Sequence, residues 1–158
     1  MSDVRIVRGN GEEAAADRAF VERLGRDAAL SSVGSLRAAP DAVVAGAFDR
    51  LVEIVEGQSH VTLIARSDGR RVGFLLMLDD LPDEVTALPQ AFVAYMAVDP
   101  EFRNRGVGRA LLEAAEAEAL RRGLPHMALM VTEENRAARR LYERAGFQTE
   151  RRLLCKPL

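Results

Sequence analysis

The chain has 158 residues and a mass of 17.3 kDa, with 48% hydrophobic and 29% charged residues and a formal net charge of −2. Length and balance suit one globular domain, so residues 1–158 are expected to form a single domain that folds without cross-links. Cys155 is the only cysteine, and His60 and His126 stand far apart, which excludes a disulfide framework and a Cys/His metal cluster; no metal is expected.

Val4–Val7 alternates apolar and basic residues and predicts a strand. A helix is predicted over Ala14–Gly25, with Ala15, Ala19, Phe20 and Leu24 on its inner face. Ser31, Ser32, Gly34 and Pro40 mark a turn-rich connection to a second helix, Asp41–Glu56. There Val43, Ala47, Leu51, Ile54 and Val55 fall at helical spacing, and Gly57 closes the run. The period then changes to two. Val61–Ala65 and Arg71–Leu78 predict a hairpin across Ser67-Asp68-Gly69-Arg70. Residues 79–90 form an acidic loop, and the nearly all-apolar Ala91–Val98 reads as a central strand. A long helix over Gly108–Arg122 follows, then a buried strand, Met127–Val131. A helix over Asn135–Ala145 is capped at Gly146, and Phe147–Cys155 reads as a last strand.

Hairpins in the first half imply antiparallel pairing, and the strand-helix-strand unit Ala91–Val131 implies one parallel pair. The fold class expected is α+β, a mixed α/β sheet with helices on both faces. No charged-then-apolar leader and no bilayer-length apolar run is present, so a cytoplasmic protein is expected, with no membrane partner.

Charge is uneven. Residues 1–99 hold ten Arg against sixteen Asp and Glu, a net −6; residues 100–158 hold twelve Lys and Arg against eight acids, a net +4. A +4 segment interrupted by acids does not argue for nucleic acid, but it suits a small phosphorylated ligand. The acidic first part suits a cationic partner.

One loop concentrates that positive charge: Asp99-Pro-Glu-Phe-Arg103-Asn104-Arg105-Gly106-Val107-Gly108-Arg109. Gly106 and Gly108 allow a sharp turn and a close backbone approach, and the first N–H groups of the following helix converge on one concavity. This predicts a pyrophosphate site. A P-loop is excluded because no lysine is near. A dinucleotide fingerprint survives weakly, with Leu111 where the third glycine should be. A plain solvated basic loop remains the bland reading.

The R-x-x-G-x-G segment Arg103–Gly108, after an apolar strand ending Val-Asp-Pro, resembles the acetyl-CoA signature of the GNAT superfamily of N-acetyltransferases. Residues 135–147, Asn135-Arg-Ala-Ala138-Arg-Arg-Leu-Tyr142-Glu-Arg-Ala-Gly146-Phe147, are similar to its N-x-x-A-x-x-x-Y-x-x-x-G-F ending. The close match covers residues 91–149 and leaves the acceptor open. The resemblance implies a central sheet of about six to seven strands flanked by about four helices. It implies acetyl-CoA as co-substrate, held by the backbone of Met96 and Val98, by the cradle of Arg103, Asn104, Arg105, Gly106, Val107, Gly108 and Arg109, and by Asn135, Ala138 and Tyr142. Asn135 has a second reading, as the N-cap of its helix.

The reaction implied is transfer of an acetyl group to a primary amine by direct attack, with Tyr142 as the acid for the leaving thiolate and an N–H near Val98 as oxyanion donor. Asp79, Asp80, Glu84 and Glu133 are open candidates for the base. The acceptor, a small-molecule or peptide amine, would sit against the first two helices and the acidic loop. Homodimers are common in the superfamily, and one is possible here. The alternative function is a non-catalytic acyl-CoA-binding or regulatory domain.

Overall fold

The computed structural model describes residues 3–158. β1 (Val4–Arg8), α1 (Ala14–Leu30), α2 (Asp41–Glu56), β2 (His60–Ser67), β3 (Arg70–Leu78), β4 (Ala91–Val98), α3 (Val107–Arg121), β5 (Met127–Leu129) and α4 (Arg136–Arg144) follow in chain order. The sheet runs β1-β2-β3-β4-β5, antiparallel throughout except for the parallel β4–β5 pair. The β2–β3 turn has both central residues at positive φ, Asp68 at 49° and Gly69 at 77°, the geometry whose twist matches the strands it joins.

Two apolar layers cover the sheet. On one face Leu63, Leu75 and Met77 meet Val107, Leu111, Leu112 and Ala115 of α3. On the other, Ile64, Phe74 and Leu76 meet Phe20, Val21 and Leu24 of α1 and Phe48, Val52 and Val55 of α2. Phe74 is the centre of the second layer, edge-on to Phe20 and in contact with the Phe48 and Tyr95 rings. At its rim the buried Asp17 carboxylate accepts from Arg71 Nε (2.6 Å) and Arg66 (3.1 Å), which anchors α1 to the β2–β3 hairpin. A buried carboxylate persists only with such partners.

Several expectations are corrected. α1 runs five residues beyond Gly25, because that glycine is a crossing point rather than a stop: a Cβ there would lie 1.9 Å from Phe48 Cζ. The predicted inner faces hold at Phe20, Leu24 and Val55, which are buried, but not at every position. Ala15 and Ala19 are exposed, as are Val43, Ala47 and Ile54. Turning Phe48 inward beside the expected Phe20 and Leu24, rather than the alanines and Val43, buries several more carbons at ~0.8 kcal/mol each, and that outweighs the stripe read from spacing. β4 is paired on both sides, but the middle of the sheet is β3.

Among the described residues the sheet has five strands, not six to seven. β5 stops at Leu129 and is half-buried. Residues 147–155 form no strand, and Leu153 and Leu154 are 83% and 86% exposed. A three-residue edge strand offers too short a ladder to hold another strand. Arg151 instead pairs with Asp83 (2.6 Å). Among the described residues no helix is long and apolar enough to cross a membrane.

Candidate active site

β4 changes character halfway. Its pairing with β5 covers only Ala91–Val93. Its register with β3 slips at the same point: Met77 faces Val93, Leu76 faces Tyr95, and Ala94 has no partner. Such a bulge bends its strand and increases local twist. The bend carries residues 94–98 away from β5 and opens a gap between two parallel strands.

Backbone polarity in the gap follows from one hydrogen bond. The Asp99 N–H donates to Val72 of β3 (2.9 Å). Strand residues alternate sides, so the N–H and C=O groups of Val98 and Met96 point away from β3, into the gap. They are the amide-like groups an extended chain could pair with, as an added strand would. Arg103 Nε approaches the Val98 carbonyl from the same side (3.4 Å).

The loop after β4 ends at α3. Asn104 (φ 58°) and Gly106 (φ 82°) both take the left-handed conformation, and Gly106 is the cap residue without a side-chain cap bond. That conformation is why glycine stands at Gly106. The first acceptor bond of α3 runs from Ala110 N–H to Gly106 O (3.0 Å), and the N–H groups of Val107, Gly108 and Arg109 find no backbone acceptor among the described residues. An uncapped helix start of this kind favours an anion. Gly108 is also where α4 comes closest, since a Cβ there would meet Leu141 Cδ2 at 2.9 Å.

The side chains expected in the cradle divide. Val107 is 1% exposed and packs in the core, so only its N–H is available to a ligand. Arg105 lies over the Phe102 ring (5.3 Å). Arg109 is exposed and paired with Glu113 (2.7 Å). Asn135 is the N-cap of α4, its Oδ1 accepting from the Ala138 N–H (3.2 Å), so both residues are engaged with each other. Tyr142 packs edge-on against Phe147 (5.9 Å) within the layer on the α3 face. Burial pushes its phenol above the ordinary range, with repulsion from the nearby Tyr95 phenol adding to it, and no hydrogen bond offsets this.

Among the base candidates, Asp79 is tied to Arg122 and Glu133 to Arg139 (3.0 Å). Asp80 and Glu84 belong to the loop leading into β4, at the end of that strand opposite the gap. Among the described residues no group of three or more His, Cys, Asp or Glu could hold a metal ion. A cavity of about 250 Å³ lies elsewhere, under α1 and α2 at the β1–β2 side, lined by Val21, Val52, Val55, Thr62 and Leu76. It shares no lining residue with the 103–109 loop.

Sequence reasoning missed Tyr95. Without the bulge, strict alternation would send it to the α3 face. With the bulge, Ala94 and Tyr95 both face α1 and α2. The one legible signal was a polar aromatic in an otherwise aliphatic strand.

A family model described as the acetyltransferase (GNAT) family matches residues 35–147. A mycothiol acetyltransferase of Acidimicrobium ferrooxidans is 39% identical over 85 residues, which are 54% of this chain and 27% of that relative. The chain therefore spans about a quarter of that relative's length. A solved Pyrococcus furiosus protein assigned as an acetyl transferase superposes with a TM-score of 0.82 at 25% identity, covering 99% of this chain and 100% of its own. An aminoglycoside N-acetyltransferase, AAC(6')-Iy, solved in complex with CoA, shares the fold at 20% identity, with a TM-score of 0.65 and coverage of 100% and 96%.

Proposed function

Because the chain belongs to the GNAT acetyltransferase family, we propose that residues 1–158 act as a single-domain enzyme that transfers an acetyl group from acetyl-CoA to a primary amine. The observation that carries this reading is the open half of β4. Residues 94–98 lack a partner on the β5 side, and the gap runs to an uncapped helix start at Gly106. A ligand with an amide-bearing arm and a pyrophosphate fits that pairing of features, and acetyl-CoA has both. Met96 and Val98 would hold the arm through their backbone. The N–H groups of Val107, Gly108 and Arg109 would take the pyrophosphate, with Arg103, Asn104 and Arg105 at the rim and Gly106 shaping the turn. Asn135 and Ala138 act by fixing the start of α4, and so the placement of Tyr142.

In the reaction a neutral amine attacks the thioester carbonyl. The new C–N bond forms, the C–S bond breaks, and the nitrogen releases one proton to solvent. Tyr142 donates its proton to the departing sulfur and regains one from water, so CoA leaves as the thiol. An N–H near Val98 would stabilise the oxyanion. A Tyr142 hydroxyl that donates to no acceptor among the described residues supports catalysis over plain cofactor binding.

Two measurements test this reading. Acetyl-CoA at a hundred times its dissociation constant should stabilise the fold by ~2.7 kcal/mol, and NAD should leave the melting temperature unchanged. Thiol release from acetyl-CoA should then depend on an added primary amine. Equal stabilisation by both ligands removes the basis for choosing CoA. Binding without amine-dependent thiol release leaves only a binding domain.

A further inference from the structure

The gap beside β4 has a second face. The Tyr95 ring is held between Phe48 (5.0 Å) and Phe74 (6.2 Å), in the layer under α1 and α2. Its hydroxyl lies 3.2 Å from Ser32 Oγ, in the turn after α1. Thr132, just beyond β5, donates its hydroxyl to the Ser32 carbonyl (2.7 Å). Ser35 N–H (2.9 Å) and Oγ (2.7 Å) both donate to Glu134 Oε1. The 31–35 segment is thus bonded to β4 at Tyr95 and to the chain leaving β5, and it bridges the gap on the side opposite α3 and Tyr142.

Proton counting fixes the direction of the Tyr95–Ser32 bond. A serine hydroxyl has one proton, and Ser32 donates it to the Ala28 carbonyl (3.1 Å). With that proton assigned to Ala28, the bond to Tyr95 uses the phenol proton and Ser32 Oγ accepts. Tyr95 Oη is left with lone pairs to offer and no proton. Tyr142 is the reverse case, a hydroxyl whose proton no protein acceptor takes. The two phenols are close enough for their anions to repel.

We propose that Tyr95 is the acceptor-side contact of the transfer: its hydroxyl oxygen accepts an N–H of the incoming amine and aims the nitrogen lone pair at the thioester, while Tyr142 serves the sulfur from the other face. This rests on the acetyl-transfer reading above. It assigns opposite hydrogen-bond polarities to two tyrosines, one accepting from the nucleophile and one donating to the leaving group. The orientation of Tyr95 is supplied by Ser32, which acts through it as a positioning residue.

Tyr95→Phe keeps the ring and its stacking. With spermidine, a lysine-containing peptide and neamine as probes, kcat/KM for the amine should fall about five- to tenfold, the scale of one hydrogen bond. The dissociation constant of acetyl-CoA, read by calorimetry, should stay at the wild-type value, and the melting temperature should fall only by the few degrees that the lost Ser32 bond is worth. Ser32→Ala should lower the same parameter less, and the double variant should be no worse than Tyr95→Phe alone, since both act through one bond. If acetyl-CoA binds and no probe is acetylated, the transfer reading fails separately. Tyr95 is then read on the slow hydrolysis of acetyl-CoA, where water donates to the same oxygen and Tyr95→Phe should slow thiol release by a similar factor. An unchanged kcat/KM for the amine, or in that second case an unchanged hydrolysis rate, overturns the assignment. A loss of acetyl-CoA affinity also overturns it, because it would make Tyr95 part of the cofactor side.

Discussion

Tyr142→Phe is expected to fold normally, to bind acetyl-CoA nearly as well as the unmodified chain, and to turn over roughly ten- to a thousandfold more slowly. The substitution removes one oxygen and keeps the ring that packs edge-on against Phe147. Little packing energy is at stake, because the hydroxyl donates to no protein acceptor. On the proposed reading, what is lost is the proton for the sulfur. The drop is bounded because a thiol with a pKa near ~8.5 is already a fair leaving group and water can substitute. Burial raises the Tyr142 pKa, so the phenol keeps its proton as pH rises and loses it only above the ordinary value of ~10. Turnover limited by this acid should therefore persist past that pH and fall beyond it, and the phenylalanine variant should lack that limb. Turnover and melting temperature measured on one preparation decide the matter. Full activity in Tyr142→Phe would make the ring packing alone.

Gly108→Val should cost acetyl-CoA binding about 10–100-fold, the worth of one or two hydrogen bonds to a charged group. The sequence alone suggested a strained turn at this position, but the left-handed residues are Asn104 and Gly106. The constraint at Gly108 is contact. A Cβ there meets Leu141 Cδ2 at 2.9 Å, with Met96 Cε and Val98 Cγ2 at 3.9 Å. Leu141 is the end of a flexible side chain and can yield, so the fold should survive with a modest loss, in the range of ~1–3 kcal/mol seen for overpacking. Its displacement pushes α4 from α3 and puts carbon beside the N–H groups proposed to take the pyrophosphate. Calorimetry with acetyl-CoA, paired with a melting curve, separates the two effects. A folded variant that binds acetyl-CoA normally would move the cradle elsewhere.

Much of this site was legible because it is local. The stretch Arg103–Gly108 carries its glycines, arginines and helix start within one short run, and Asn135 caps its own helix three residues from Ala138. Backbone conformation and capping depend on neighbours in sequence, so a linear reading reaches them. α2 was bounded correctly over Asp41–Glu56 for the same reason, with Gly57 as the stop.

What the reading misplaced depended on distant partners. Gly25 looked like a helix end because nothing in its neighbourhood announces the Phe48 ring that crosses there. Phe147–Cys155 read as a last strand, but a strand needs an edge to pair with, and β5 is only three residues long. The acidic residues 79–84 seemed available to a cation, yet Asp79 is tied to Arg122 and Asp83 to Arg151, on elements far along the chain.

Residue order by itself determined the order of elements from β1 to α4, the glycine-turned loop before α3 and the candidacy of Tyr142, since each rests on spacing within a single turn or motif. Only the tertiary structure decided where the sheet opens and which tyrosine faces which layer. The cause is one unpaired residue: Ala94 has no partner on β3, so β4 bends away from β5 and Tyr95 turns toward Ser32. A bulge is a mismatch between two strands, and no property of either strand taken alone encodes it.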